Sequence, residues 1–322
     1  MPKTSSDPVR HALNGPTMGT RWQATFFAAR GFDPVPLRAA LQAAVDEVDA
    51  QMSVWKPDSD LMCLNRAPVG EWLAVPARLA EVLRLGLEIG RASGGAFDIG
   101  LGDAVRAWGF GAEPAAVAAI RAAATAARLP AHEVLELDGL QVRKRAPIVL
   151  DLNGIAKGYG TDRLTEVLRG HGITGALTGI DGEMRGHGLR PDGTPWVVAI
   201  EAPDPDRRAA HSILTLQDAA VATSGDYRHR VVAGDRTLSH TMDPARGAPL
   251  AGSPASVTVV ARSCAEADAW ATALMVAGEV AGSRLAGQYG LNALFLLRSA
   301  TGTRQIAVGP LFADGQAPVT TA

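Results

Sequence analysis

Cysteine is scarce: the 322-residue chain has two, Cys63 and Cys264. That excludes a scaffold stapled by several disulfides and a four-thiolate zinc site. The seven histidines include no i, i+4 pair on a helix-patterned stretch, so the paired-histidine zinc motif is missing too. An excess of either charge is also missing. Thirty-one Lys and Arg face 33 Asp and Glu, for a formal charge of -2, unlike the basic excess of a dedicated nucleic-acid binder. No apolar run reaches the ~20 residues of a membrane-crossing helix. The longest Ala-rich stretch, residues 115–127, carries Arg121. The opening MPKTSSDPVRHALNG lacks the apolar core of a secretory signal, so the sequence as it stands predicts a cytoplasmic location. A nucleophile-elbow serine and a P-loop are absent as well. GIAKGYG (residues 154–160) has a lysine among glycines but lacks the Walker spacing, and GHGITG (170–175) follows a helix instead of a strand.

Glycine is abundant, at 35 residues, and apolar residues make up 47%. The chain can build a sizeable core, with many tight turns or close backbone approaches. Residues 1–14 are polar and read as a loose segment; one domain is expected over 15–315. Thr20–Ala28 reads as a strand, rich in aromatic and β-branched residues. Pro34–Met52 has helical spacing through Leu37, Leu41, Val45 and Val48. A short helix follows Pro57-Asp58. Residues 76–93 form a second amphipathic helix stopped by Gly94-Gly95. Residues 113–128 are an Ala-rich helix, 135–152 a hairpin ending in a strand at 148–150, and 161–171 a helix. Strand-turn-strand patterns then run to SVTVVA at 256–261. A helix at 263–277 and a closing hairpin complete the chain. The mixture lacks strict alternation and no repeat is visible, which predicts an α+β fold with mixed, largely antiparallel sheets and packed helices.

Four segments carry polar chemistry. In SCAEADAWATAL, Ser263 and Glu266 form a capping box that fixes the helix register. Asp268 and Thr272 then share one face, and their oxygens suit a hard cation such as Mg²⁺. The same spacing also describes a solvated helix charge and a packed threonine. In DLNGIAKGYGTDR, an apolar run delivers Asp151 to a glycine-rich turn opening a helix, with Lys157 close by. Amides at such a start attract phosphate, although an ordinary strand-turn-helix reads the same way. ATSGDYRHR and TLSHTMDPARGAPL cluster polar residues around His240, a residue type that can serve as a general base, or one that is simply a turn histidine. GGAFDIG (94–100), followed by WGFG, places small residues around Phe97 and Asp98, where a flat ring can approach the backbone or a plain loop can run.

In collinear order these segments, with TMGT, MSVWKPDSDLMCLN and PDGTPWVVAIEAP, resemble the ApbE family of FAD:protein FMN transferases, over almost the whole chain. The resemblance implies a T-fold-like α+β enzyme. It would cleave FAD with Mg²⁺ and attach FMN through a phosphoester to a Ser or Thr hydroxyl of an acceptor flavoprotein, releasing AMP. It implies that Asp268, Thr272 and the carbonyl of Gly154 ligate the cation and that His240 deprotonates the acceptor. FAD contacts carry over onto Met18, Trp55, Ala96, Phe97, Asp98, Asp151, Lys157 and Met242. Phe97 and Trp55 would cover ring faces, Asp151 would accept a hydrogen bond, and Lys157 would oppose negative charge.

The chain departs from the family pattern at GIDGE (179–183), where Asp181 stands in place of a glycine beside the expected phosphate site. Asn153 replaces a smaller residue in the glycine turn. Many relatives are exported or lipid-anchored, so the missing signal points to a cytoplasmic acceptor. Two other readings stay open: an FAD pyrophosphatase with water as acceptor, and a flavin carrier without turnover.

Overall fold

The structure is a computed structural model. It describes residues 7–111, 114–227, 230–233, 236–250, 252, 254–299 and 302–313, with side chains at 230–238 left aside. Residues 1–6 of the expected loose segment, Glu113 at the expected helix start, the arginine and histidine at 228–229 and residues 314–315 lie outside the described residues.

The middle layer is an eight-stranded sheet. Its strands are β1 (Val9–Thr17), β2 (Thr20–Ala28), β3 (Ala176–Ile180), β4 (Glu183–His187), β5 (Ala219–Gly225), β6 (Ser256–Ala261), β7 (Asn292–Ser299) and β8 (Gly302–Val308). Their order across the sheet is their order along the chain. Every neighbouring pair is antiparallel, as the expected fold class requires. The period of two assigns the faces. On β7, Ala293, Phe295 and Leu297 enter one core cluster, while Leu294 and Leu296 enter another.

Between β2 and β3, the described residues form seven helices: α1 (Pro34–Met52), α2 (Asp60–Arg66), α3 (Ala77–Ala92), α4 (Gly102–Ala107), α5 (Val117–Thr125), α6 (Ala131–Val134) and α7 (Ala156–Gly170). Helix α8 (Cys264–Gln288) links β6 to β7. Helix α1 starts where Asp33 accepts a hydrogen bond from the Val35 amide at 3.0 Å, which satisfies an otherwise orphaned donor. Its Leu37, Leu41 and Val45 pack with Leu164 and Leu168 of α7 on Trp22 and Phe26. Helix α8 lays Ala269 and Ala273 on Val257 and Phe295. A hairpin of strands Trp196–Glu201 and Ala210–Leu216 covers the opposite face, with Trp196, Ile200 and Leu214 against Val221 and Leu296.

Helices α7 and α8 meet at glycine distance. A Cβ on Gly158 would lie 2.4 Å from the Cys264 carbonyl oxygen and 2.8 Å from Asp268 Cβ. Asp162 of α7 caps α8, accepting from the amides of Cys264 (2.8 Å) and Ala265 (3.0 Å) while pairing with Arg185. The Ser263–Glu266 capping box forms as expected.

Several elements differ from the sequence expectation. Strand β1 begins at Val9, so 9–14 are not loose: the run pairs residue for residue with β2. Residues 148–150 form no strand. Val149 makes one isolated parallel bridge to Leu101, and Asn65 holds Leu150 instead, donating to its carbonyl (2.9 Å) and accepting from its amide (2.7 Å). The Ala-rich helix is confined to α5, and the glycine-dense stretch contains α4. Helix α7 starts at Ala156, before the expected 161. Helix α8 leaves helical geometry at Gly278 (φ 77) and resumes beyond it. Among the described residues no helix is long and apolar enough to cross a membrane.

Gly158→Ala should lower stability by about 3 kcal/mol, the upper range for overpacking, because the obstructing atom is backbone. Gly170, at the open end of α7, has nothing within 4 Å of such a Cβ. Gly170→Ala should stay within about 1 kcal/mol of the parent. Urea denaturation of both variants checks this, and equal midpoints would refute the close junction. Ser263→Ala should cost about 1 kcal/mol through the lost cap, read by the same measurement.

Candidate active site

A cleft of about 1500 Å³ opens among the tips of two hairpins, the start of α7, the first turns of α8 and the segment after β5. Small-ligand sites span about 300–1,000 Å³, so the cleft has room for something as long as a dinucleotide. All twelve residues singled out in the sequence line it: Met18, Trp55, Ala96, Phe97, Asp98, Asp151, Gly154, Lys157, His240, Met242, Asp268 and Thr272.

The hairpin tips form one wall. Met18-Gly19 joins β1 to β2, with φ 46 and 71, and Asp181-Gly182 joins β3 to β4, with φ 53 and 111. Both central residues of each tip are left-handed, as a two-residue turn matching strand twist requires. Met18 is thereby held against α7, where a Cβ on Gly160 would come within 3.2 Å of its Cε. Thr20 Oγ1 donates to Asp181 Oδ1 at 3.3 Å.

The α7 start faces that wall. Asp151 accepts from the Asn153 amide (2.8 Å) and side chain (3.0 Å). Burial pushes its carboxyl up to about 6. No side chain caps α7 at Ile155. Asp268 of α8 substitutes from across the junction, its Oδ2 accepting from the Gly158 amide at 3.0 Å. Thr272, one turn on, shares a 3.0 Å hydrogen bond with Ser224 of β5. A Cβ on Gly154 would sit 3.4 Å from Thr272 Oγ1 and 3.2 Å from the Phe97 ring. The backbone of residue 154 and the Thr272 hydroxyl are therefore neighbours.

Lys157 Nζ lies 3.0 Å from Glu183 Oε1 and 3.2 Å from Asp181 Oδ2. Burial disfavours its charge, but the attraction of Glu183, Asp268 and Asp181 raises its affinity for the proton above the ordinary value. Burial and the charge of Glu183 push the Asp268 carboxyl up to about 7. Glu183 is 5% exposed, is itself raised chiefly by burial, and leaves Oε2 buried without a hydrogen-bond partner. Among the described residues the Lys157 ammonium thus faces three acidic groups. Among the described residues no group of three or more His, Cys, Asp or Glu is arranged to hold a metal, so a cation here needs mixed donors. The Asp268 carboxylate, the Thr272 hydroxyl and the Gly154 carbonyl are hard oxygen donors, and with ligand oxygens they fit a divalent ion of the Mg²⁺ kind.

His240 is exposed on the rim. It precedes a short hairpin, Met242–Asp243 paired with Ala248–Pro249. Trp108 Nε1 donates to the Gly247 carbonyl at 3.1 Å, and Met242 packs with Leu101 and Ala104. Those contacts fasten the histidine-bearing segment to α4.

Two expected contacts are modified. Asp98 turns inward, Oδ1 accepting from the amides of Gly100 (2.8 Å) and Ala131 (3.1 Å). It pins the glycine loop to α6. Phe97 is 4% exposed and belongs to the core, whereas Trp55 is 59% exposed and stands open on the rim. Glu183, Asp162 and Asn65 have no role assigned from sequence, and Ser224 enters there only as one of the polar cluster around His240. Asp162 lies in the same motif as Lys157 and Asn65 in the motif of Trp55, but the backbone groups they hold, at Cys264 and Leu150, are 102 and 85 positions away.

With this geometry in hand, comparison with known proteins gives one answer. The sequence model of the ApbE family matches residues 18–295. A Vibrio cholerae protein named FAD:protein FMN transferase is 34% identical over 299 residues, covering 92% of this chain and 90% of its own. The Klebsiella pneumoniae protein of that name is 33% identical, covering 93% and 88%. The apo crystal structure of the Pseudomonas stutzeri flavinyl transferase ApbE superposes with a TM-score of 0.82 at 34% identity, over 94% of this chain and 95% of that one. The Vibrio cholerae flavin transferase ApbE superposes with a TM-score of 0.83 at 34% identity, over 94% and 97%. The chain belongs to the ApbE family.

Proposed function

We propose that this chain is an FAD:protein FMN transferase, which splits the FAD pyrophosphate and joins FMN to a Ser or Thr hydroxyl of an acceptor flavoprotein. The observation that carries the reading is the convergence on one dinucleotide-sized cleft of residues spread from Met18 to Thr272. The names of the similar proteins agree with it.

Asp268, Thr272 and the Gly154 carbonyl would hold a Mg²⁺ ion, which when bound supplies positive charge against the phosphate oxygens. Lys157 provides a fixed cation on the same side. Met18 and Met242 supply apolar walls, and Trp55 offers a ring face at the rim. Asp151 and the residue 96–98 loop orient the flavin half. His240 takes the proton from the acceptor hydroxyl, which is a weak nucleophile without a base. The hydroxyl oxygen forms a bond to the FMN phosphorus, the pyrophosphate P–O bond breaks, and AMP leaves with that bond's electron pair.

Incubation with FAD, Mg²⁺ and an acceptor flavoprotein should release AMP and leave the acceptor covalently fluorescent. AMP accompanied by free FMN alone would replace the transferase with a hydrolase, and intact bound FAD would leave a carrier. His240→Ala should lower kcat by about 10²–10⁴-fold, with FAD affinity within about twofold. An unchanged rate would remove the base assignment. Asp268→Asn should raise the Mg²⁺ concentration for half-maximal rate by about tenfold or more, since one charged ligand is lost. A superimposable Mg²⁺ titration would exclude Asp268 as a ligand.

A further inference from the structure

We infer that Asp181 makes nucleotide binding in this cleft depend on the divalent cation, because its carboxylate occupies Lys157 until a cation arrives. The inference rests on the reading of the cleft as an FAD site. Lys157 Nζ pairs with Asp181 Oδ2 at 3.2 Å and with Glu183 Oε1 at 3.0 Å. Asp268 adds a third acidic group to the same field. An incoming pyrophosphate therefore meets a lysine already engaged by two carboxyl groups. The Asp181 carboxylate repels the anion and competes with it for the ammonium. A cation held by Asp268 and Thr272 restores the balance and lets the anion bind.

The backbone marks residue 181 as the element that sets this balance. Asp181 occupies a hairpin tip at φ 53, where glycine is free of the steric cost that a side chain incurs. What the side chain contributes there is charge, aimed at Lys157 and steadied by Thr20. Glu183 is nearly fully buried, whereas the Asp181 side chain is 34% exposed. Its carboxylate can be removed without opening the core.

The test is the dissociation constant of FAD for the full chain, read by flavin fluorescence in Mg²⁺ and in chelator. The parent and two variants are compared. Asp181→Asn keeps size and tolerates the left-handed backbone, and Asp181→Gly removes the side chain. Both should bind FAD on the order of tenfold more tightly than the parent in chelator, the scale of one partly screened charge near a phosphate. In Mg²⁺ the change should be under about threefold. Parent-like affinity of both variants in chelator would overturn the inference. So would weaker binding of Asp181→Asn in Mg²⁺, which would make the carboxylate a cation ligand. A parent chain that binds FAD in Mg²⁺ while the variants fail to differ leaves the FAD reading intact. A parent chain that never binds FAD removes both.

Discussion

The contact between α7 and α8 is the constraint on which the site depends. Gly158 lets the two helices approach until the Asp268 carboxylate reaches the amide of residue 158. Asp162 meanwhile sets the rotation of α8 by accepting from its first amides. Each helix thus supplies an acceptor for unpaired donors at the start of the other. This fixes the distance from the lysine-bearing turn to the face carrying Asp268 and Thr272. The sheet adds the second coordinate. It brings the Asp181 tip, and Glu183 just beyond it, against Lys157.

The site is electrostatically unfinished by itself. Glu183 and Asp268 are buried and bind protons more readily than ordinary carboxyls, which reflects the cost of holding negative charge in a poorly solvated place. Lys157 offsets part of that cost. Such an arrangement is poorly explained by stability, since buried acidic groups with one shared partner are expensive. The cation proposed above would offset the remainder of that cost.

Much of this was legible in the sequence because it is local. The four-residue spacing of Asp268 and Thr272, fixed by the Ser263 cap, survives unchanged in the structure. So does the apolar face of α1. What was not legible depends on partners distant in the chain. The apolar run at 148–150 resembles a strand, but its Val149 makes an isolated bridge to Leu101 and joins no sheet among the described residues. Asn65 takes up the Leu150 backbone groups instead. Strand β1 was read as loose because its residues are polar, yet a complete ladder to β2 requires only backbone groups. Asp98 lines the cleft and also accepts from the amides of Gly100 and Ala131, and the second of these partners is 33 positions away.

The chain-ordered sheet has a kinetic corollary. Three neighbouring pairs are joined by two residues each and three by excursions of about 30 residues, but β2 and β3 are separated by residues 29–175, where seven of the helices lie among the described residues. The entropy of closing a loop grows with its length, and distant pairings slow folding. The ladder that carries both hairpin tips to the cleft is thus the most demanding closure in the sheet. Until it is made, the nascent protein has its hydrophobic pieces but no place for a nucleotide.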